Sequence, residues 1–390
     1  MGLFDFFKKK PSTEPTQADT AANKQFYSIV VAKVVHETAD AVSIYLDIPA
    51  NLQTVFSYKA GQYITLRINL NNQTYLRSYS LSSCPHSNNY YRIAVKRKAG
   101  GAVSGWLVDK LQRGATLEVF PPLGNFTPSL DTFTDTYFLY AGGSGITPML
   151  AIAKTVLSQT KSDVVLLYAN RNEDQIIYQL DLIELSKEYE KRLFIYHILD
   201  EPPAKWTGLK GIFKQADYAE FLRNTFSGIA VNRAEHYICG PTPMMHEVEN
   251  ALTKDLMLPP NVVHVEYFEI EKQPHENPNQ TTNKNADNAS QSKADKSANT
   301  TELSLTIAGK KQVVMIAPNQ TILSACLDAG IDAPFMCEAG VCASCKAKVI
   351  SGKVSMRACY SLSDKEIKDG YILTCQSEPQ TDTLQITYDV

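Results

Sequence analysis

No stretch of this chain is apolar for the roughly 18 to 20 residues that a bilayer-spanning helix needs, and no secretory h-region is visible. The expected compartment is therefore the cytoplasm. A strong excess of one charge sign is also lacking: 38 Lys and Arg face 41 Asp and Glu, a net charge of −3. That balance leaves no electrostatic footprint for nucleic acid, and no nucleic-acid partner is expected. Between residues 271 and 300 there is no Val, Ile, Leu, Phe, Tyr or Trp. Such a segment cannot offset its ordering entropy by burial, so it reads as a flexible linker. At 390 residues the rest is long enough for two to three domains.

Cysteine is present in a pattern. Cys337, Cys342 and Cys345 read C-x4-C-x2-C, and Cys375 follows thirty positions on. This is the plant-type spacing that holds a 2Fe–2S cluster, in which two sulfide-bridged irons take two thiolates each. The first three cysteines lie in one glycine-bearing loop, and the fourth ends a strand-like run from Tyr371. Zinc prefers paired C-x2-C units or cysteine with histidine, and one such unit occurs here. A disulfide framework needs an oxidising compartment. Chance spacing of buried cysteines is the third alternative. Cys326 sits in an apolar helix-like run and reads as core packing.

Composition divides the chain. Residues 1–25 form an N-terminal tail whose first ten residues carry Leu3, Phe4, Phe6 and Phe7 beside Lys8, Lys9 and Lys10. A disordered tail is the favoured reading; a weak amphipathic contact with a membrane surface is the alternative. From 26 to 130, strand-length runs rich in β-branched and aromatic residues alternate with Gly and Asn clusters, which suggests a small antiparallel barrel. From 131 to 270, apolar strands such as 137–141, 164–168, 193–198 and 236–239 alternate with helical patterns, which implies a parallel sheet. The linker is placed at 271–301. Residues 302–390 mix short strands, one clear helix and the cysteine loop.

Gly142, Gly143, Ser144 and Gly145, then Thr147 and Pro148, follow a strand and open a helix. Glycines let a backbone approach a pyrophosphate, and a helix N-terminus favours anions. Cys239, Gly240 and Pro241 end another strand in the same half and begin another helix. Carboxyl ends of parallel strands are where open α/β sheets bind ligands. Ordinary glycine turns are the bland alternative for both.

With these residues assembled, the chain resembles the ferredoxin–NADP reductase superfamily, in the subgroup with a C-terminal plant-type ferredoxin domain. That subgroup includes reductase components of phenylacetyl-CoA and ketosteroid oxygenases and of some fatty-acyl desaturases. The resemblance rests on Arg77-Ser78-Tyr79-Ser80, matching R-x-Y-S, on the 142–148 loop, and on Cys239-Gly240-Pro241, in the expected order. It implies a multidomain architecture: an antiparallel flavin-binding β-barrel, an α/β parallel-sheet nucleotide domain and an α+β, β-grasp ferredoxin domain. It further implies that Arg77 meets a flavin phosphate, that Tyr79 flanks the isoalloxazine with Ser78 beside it, and that Ser80 lies near the reactive nitrogen. Val95, Lys96, Arg97, Gly101, Ala102, Val103 and Ser104 match the following flavin segments. Thr147 and Cys239 are implied near the nicotinamide, and Glu266 near the end of the nucleotide domain. Ser80, Cys239 and Glu266 are the implied catalytic group. FAD is favoured over FMN. Arg171, at the end of the second nucleotide-domain strand, suits a 2′-phosphate and tilts the choice from NADH to NADPH, although Glu173 and Asp174 follow.

The implied activity is electron transfer from NAD(P)H through flavin to the 2Fe–2S centre and on to a terminal oxygenase or a membrane-bound desaturase. The decapeptide tilts the acceptor toward the membrane and the location toward the inner membrane surface. A linker of about 30 residues spans roughly 30 Å on average, enough for the cluster domain to move between reductase and acceptor. The alternative function is an electron-docking or redox-sensing accessory subunit with little turnover of its own. Reduction of an artificial acceptor by NAD(P)H separates the two.

Overall fold

The computed structural model describes residues 26–71, 73–86, 90–130, 134–226, 231, 233–268, 300–318, 320–331, 333–335, 340, 343–357, 359 and 362–390. The tail at 1–25, the linker up to residue 299, and Cys337 and Cys342 lie outside them.

Six antiparallel strands come first: β1 (Tyr27–Thr38), β2 (Ala41–Asp47), β3 (Tyr63–Leu70), β4 (Gln73–Ser80), β5 (Tyr91–Lys96) and β6 (Thr116–Leu123). Their order is β4-β3-β6-β1-β2-β5. A bridge between Leu81 and Ile93 joins the two edges and closes the sheet into a barrel. Ile29, Val31, Ile44, Leu66, Ile93 and Val119 point inward from alternate positions and are almost wholly buried. Strand period 2 places every second side chain inside, which is why the β-branched runs read as half-polar. A helix, α1 (Ala102–Asp109), caps the barrel with Val103, Leu107 and Val108.

The second sheet is parallel throughout. It comprises β7 (Thr136–Gly142), β8 (Asp163–Asn170), β9 (Leu193–Leu199), β10 (Leu209–Lys210), β11 (Ala234–Cys239) and β12 (Val263–Glu266), in the order β10-β9-β8-β7-β11-β12. All seven residues of β7 are buried because helices cover both faces: α2 (Ile146–Gln159) and α3 (Gln179–Glu188) on one side, α4 (Gln215–Thr225) and the helix Thr242–Asn250 on the other. Burying one Leu or Phe side chain contributes roughly 1.5–3 kcal/mol, so a strand of this kind is read as continuous apolar sequence rather than alternation. The chain leaves β7 toward β10 and then returns on the other side to β11. That reversal opens a crevice at the carboxyl ends of β7 and β11. Ala41, Ala60, Ala94 and Phe126 of the barrel share one core with β7 and α2, so the two units meet through apolar side chains.

The C-terminal unit is a mixed sheet of β13 (Thr301–Ile307), β14 (Lys310–Ile316), β15 (Lys346–Ser351), β17 (Tyr371–Leu373) and β19 (Thr383–Thr387), in the order β14-β13-β19-β15-β17, with β16 (Val354–Met356) paired to β18 (Ser377–Pro379). β13 and β19 run parallel at its centre. The helix Ile322–Asp328 packs on it, its first turn capped by the Thr321 side chain accepting from the Ser324 N–H. Cys326 lies wholly inside this core, as its apolar setting suggests. The architecture is the expected multidomain one: an antiparallel barrel, an α/β parallel sheet and an α+β C-terminal unit.

Candidate functional site

Residues 77–80 lie on β4, paired with 63–66 of β3. The Ser78 and Thr65 hydroxyls are 2.9 Å apart across that pair. Arg77 is exposed, donates to the Leu76 carbonyl at 2.8 Å, and has no carboxylate partner among the described residues. Its charge is thus available to an anion, and a guanidinium fork suits phosphate. Ser80 is 4% exposed, at the barrel's closing edge. Arg97 is instead engaged, forming a two-point ion pair with Asp109 of α1. Ser104 accepts from the Lys98 N–H at 3.1 Å and holds the turn at Gly101, where a Cβ would come within 2.6 Å of the Ser104 Oγ. Ala102 and Val103 form the first turn of α1, and Val95 is core.

The two glycine loops meet back to back. A Cβ on Gly145 would stand 2.1 Å from the Cys239 carbonyl oxygen, and one on Gly240 would stand 2.9 Å from the Gly142 nitrogen. Gly143 has φ +52°, the left-handed region that glycine occupies at little cost. The Thr147 hydroxyl donates to the Ser144 carbonyl at 3.0 Å, fixing the turn before α2. Pro241 precedes the helix Thr242–Asn250, with Pro243 in its first turn. Where these loops touch, at the mouth of the crevice, there is room for glycine backbone alone.

That mouth opens into a cavity of about 330 Å³. Gly142, Gly143 and Pro241 form its floor, Arg171 and Lys214 its rim, and Ile198, Ile212, Phe213 and Met244 its apolar walls. Lys96, placed by resemblance in the flavin segment, reaches this cavity from the barrel and holds Asp40 at 3.7 Å. Lys96, the 142–145 loop, Arg171 and Pro241 are therefore brought together; Arg77, Ser78 and Tyr79 sit apart on the barrel wall.

The cavity fits a dinucleotide on two counts: a floor too tight for side chains, and a buried amide. Asn170 is 8% exposed and lines the cavity. Its amide lies beside the Tyr168 hydroxyl but makes no well-formed hydrogen bond among the described residues. An unsatisfied buried amide is costly, and a polar ligand would satisfy it. Sequence reading passed over Asn170 because one polar residue at a strand end carries no signal until the strand's burial is known. Phe213 and Met244 were missed because an apolar residue shows no sign of lining a cavity until the packing is known. Arg171 is tied to Glu201 at 2.9 Å, both exposed, and Asp200 also lines the cavity, so the rim does not present a free cation to a 2′-phosphate there.

Cys239 is fully buried, and burial, then the facing Glu266 on β12, push its thiol well above the usual range. It is held as a neutral thiol, its carbonyl against Gly145. In the C-terminal unit, Cys345 and Cys375 are both buried. The Thr374 N–H and hydroxyl both donate to the Cys345 carbonyl, at 3.1 and 3.0 Å, drawing the third and fourth cysteines of the spacing together. Gly340 and Ala343 have φ +77° and +53°, both in the left-handed region. Two buried cysteines joined through Thr374 fit an iron–sulfur centre.

Family models match three segments in order: the oxidoreductase FAD-binding domain at 28–127, the oxidoreductase NAD-binding domain at 139–250, and the 2Fe-2S iron-sulfur cluster binding domain at 305–380. The chain is 35% identical over 364 residues to the 3-ketosteroid-9-alpha-monooxygenase ferredoxin reductase component of Rhodococcus rhodochrous, covering 92% of this chain and 96% of that one. It is 33% identical to a subunit of the 1,2-phenylacetyl-CoA epoxidase of Escherichia coli, covering 93% and 98%. Among solved structures, phthalate dioxygenase reductase aligns over 95% of this chain and 100% of its own, with a TM-score of 0.57 and 24% identity, a likeness of fold.

Proposed function

The chain belongs to the family of FAD- and 2Fe-2S-binding reductase components of oxygenases, and on that premise we propose that it draws electrons from NAD(P)H and delivers them to a terminal oxygenase. The observation that carries the reading is the joint presence, in one chain, of a backbone-floored cavity at the reversal of a parallel sheet, an R-x-Y-S strand whose arginine has no carboxylate partner among the described residues, and cysteines in plant-type spacing, of which Cys345 and Cys375 are buried.

Bound together, these groups convert one two-electron hydride donation into single-electron transfers. The chain's own residues supply placement. Arg77 is assigned to a flavin phosphate, Tyr79 to one face of the ring and Ser80 to its reactive edge. The N–H groups of 143–145 and the start of α2 are assigned to the dinucleotide pyrophosphate. Lys96 adds positive charge from the barrel side, so one nucleotide is held by both units. Cys239 and Gly240 set the depth to which a nicotinamide can enter, and Glu266 backs Cys239 from the neighbouring strand. Cys337, Cys342, Cys345 and Cys375 are assigned to the cluster. We take the working boundaries at 26–130, 131–270 and 302–390.

An oxygenase acceptor is favoured because the relatives compared are, by name, parts of a monooxygenase and an epoxidase. A membrane-bound desaturase rests on residues 1–10 alone, outside the described residues. No helix among the described residues is long and apolar enough to cross a membrane. The test is direct. Protein purified anaerobically should contain flavin, iron and acid-labile sulfide, and NADH or NADPH should bleach the flavin before the cluster. Material with neither flavin nor iron, or a flavin that neither nucleotide reduces, defeats the reading.

A further inference from the structure

The least expected side chain in the protein is Arg92. It lies on β5 of the barrel, is 2% exposed, and is the largest of the fully buried side chains. A guanidinium out of water is costly unless every donor is met. Here four of its five N–H groups have partners, on both sides of the seam between barrel and parallel sheet. Two of its nitrogens donate to Asp181 of α3, at 3.1 and 2.9 Å. Nε donates to the Ser82 hydroxyl at 3.1 Å, and Nη1 to the Tyr45 hydroxyl at 3.3 Å. The flat face lies 4.2 Å from the ring centroid of Tyr178.

Two observations connect this group to the sites on either side. On the barrel side, Ser82 lies two residues beyond Ser80, its N–H donates to the Arg92 carbonyl, and its hydroxyl is 2.7 Å from that of Tyr178. On the nucleotide side, Asp181 also holds Lys154 of α2 at 2.9 Å, and α2 is the helix that the glycine loop opens. Tyr178 has φ +63°, a left-handed conformation that a bulky residue adopts only when its surroundings impose it. The Tyr168 hydroxyl shares its one proton between the Gly143 carbonyl at 3.0 Å and the preceding Ile177 carbonyl at 3.4 Å. A hydrogen-bonded route thus runs from the end of the R-x-Y-S strand to the dinucleotide loop.

We propose that Arg92, Asp181 and Tyr178 form an interdomain lock that fixes the R-x-Y-S strand against the 142–145 loop, and that they are positioning residues for hydride transfer. Buried ion pairs are poor sources of net stability compared with apolar packing, but they specify geometry, since each partner is costly in any other arrangement. The apolar core that Ala41, Ala60, Ala94 and Phe126 share with β7 and α2 can hold the units together; the buried ion pair adds a directional constraint that apolar contact by itself does not. The electrostatics agree with the geometry: burial would raise the Asp181 carboxyl, yet Arg92 and Lys154 hold it below the usual carboxylate range.

This proposal rests on the flavin and nucleotide placements given above, and its test separates the two. Arg92→Met is the informative variant because Asp181 keeps Lys154 and is not left as an unpaired buried charge. Single-turnover flavin reduction by NAD(P)H is measured with flavin content, nucleotide affinity and melting temperature. Amide hydrogen exchange is followed at 80–84 and 142–147. The expected result is flavin reduction slower by roughly 10- to 100-fold, since a displacement near 1 Å can cost about that much. Flavin content and nucleotide affinity should be near wild type, exchange faster in both segments, and the rate partly restored by Arg92→Lys. A wild-type rate per bound flavin, or a loss wholly explained by flavin release or unfolding, overturns the lock. If the wild-type flavin is not reduced at all, the functional reading fails, and exchange alone decides: acceleration in both segments supports the lock, and no change overturns it.

Discussion

The R-x-Y-S strand and the 142–145 loop are built by opposite means. Residues 77–80 sit on the wall of an antiparallel barrel, where Arg77 and Ser78 are exposed and the side chains themselves are the groups proposed to meet the flavin. Residues 142–145 end a strand that is buried throughout, and at Gly145 even a methyl group would strike the Cys239 carbonyl. A side-chain site of the first kind can be altered residue by residue while the barrel stands. In a backbone site of the second kind, recognition and fold are one property, because the atoms that would meet the ligand are those that let two loops pack.

The sharpest way to break this contrast is Gly145→Ala. Because the obstacle is backbone, the loop must shift. Destabilisation toward the upper end of the roughly 1–3 kcal/mol typical of overpacking is expected, together with loss of NAD(P)H-dependent flavin reduction, while flavin content persists. Urea unfolding and a nucleotide titration check it; a stable variant with unchanged nucleotide affinity would erase the distinction.

A comparable effect should appear with acid. His236 on β11 stacks 5.0 Å from Phe138, meets the Tyr140 hydroxyl at 3.1 Å and the Val231 carbonyl at 3.0 Å, and burial lowers its pKa from 6.5 to about 4. As pH falls, the unfolded chain takes up this proton first. Stability from this group is therefore full above pH 6.5 and declines as pH falls toward 4, by roughly 3 kcal/mol in all. Trp106 lies in the barrel's helix and Trp206 beside the parallel sheet, and the chain has no other tryptophan. Trp106→Phe leaves a fluorescence probe of the nucleotide half, whose urea midpoint should fall over that range. His236→Gln should flatten the decline.

Arg77→Met sharpens the contrast from the other side. Loss of one charge-assisted contact should weaken flavin retention roughly tenfold and leave the melting temperature of the flavin-free protein unchanged, as read by flavin titration and calorimetry. The smallest effect concerns nucleotide choice. Glu201→Gln frees Arg171, and because exposed pairs are weak the shift toward NADPH over NADH should be about threefold at most, read from kcat/KM with both nucleotides.

The sequence was informative where pattern and chemistry coincide. Alternating β-branched runs marked the barrel strands, uninterrupted apolar runs marked β7, β8 and β11, and both glycine loops fell at strand ends as their spacing required. It was mute about Arg92, which reads as one basic residue in a strand, and about Asn170, one amide in a polar stretch. Lys96, assigned by resemblance to the flavin segment, also lines the cavity at the glycine loops, because two units that approach each other share side chains along the seam. Arg171 was read as suited to a 2′-phosphate with Glu173 and Asp174 beside it; Glu201, thirty residues away, comes to meet it only when β8 and β9 pair.

What the amino-acid order determined by itself is the set of local commitments. Strand period, glycine loops and cysteine spacing each depend on a few neighbouring residues, and they define which chemistry the chain can host. Only the tertiary structure decided which charges are spent on one another and which face a ligand. That depends on long-range packing, where a guanidinium on a barrel strand and a carboxylate on a helix of the other unit meet because the water between them has been excluded.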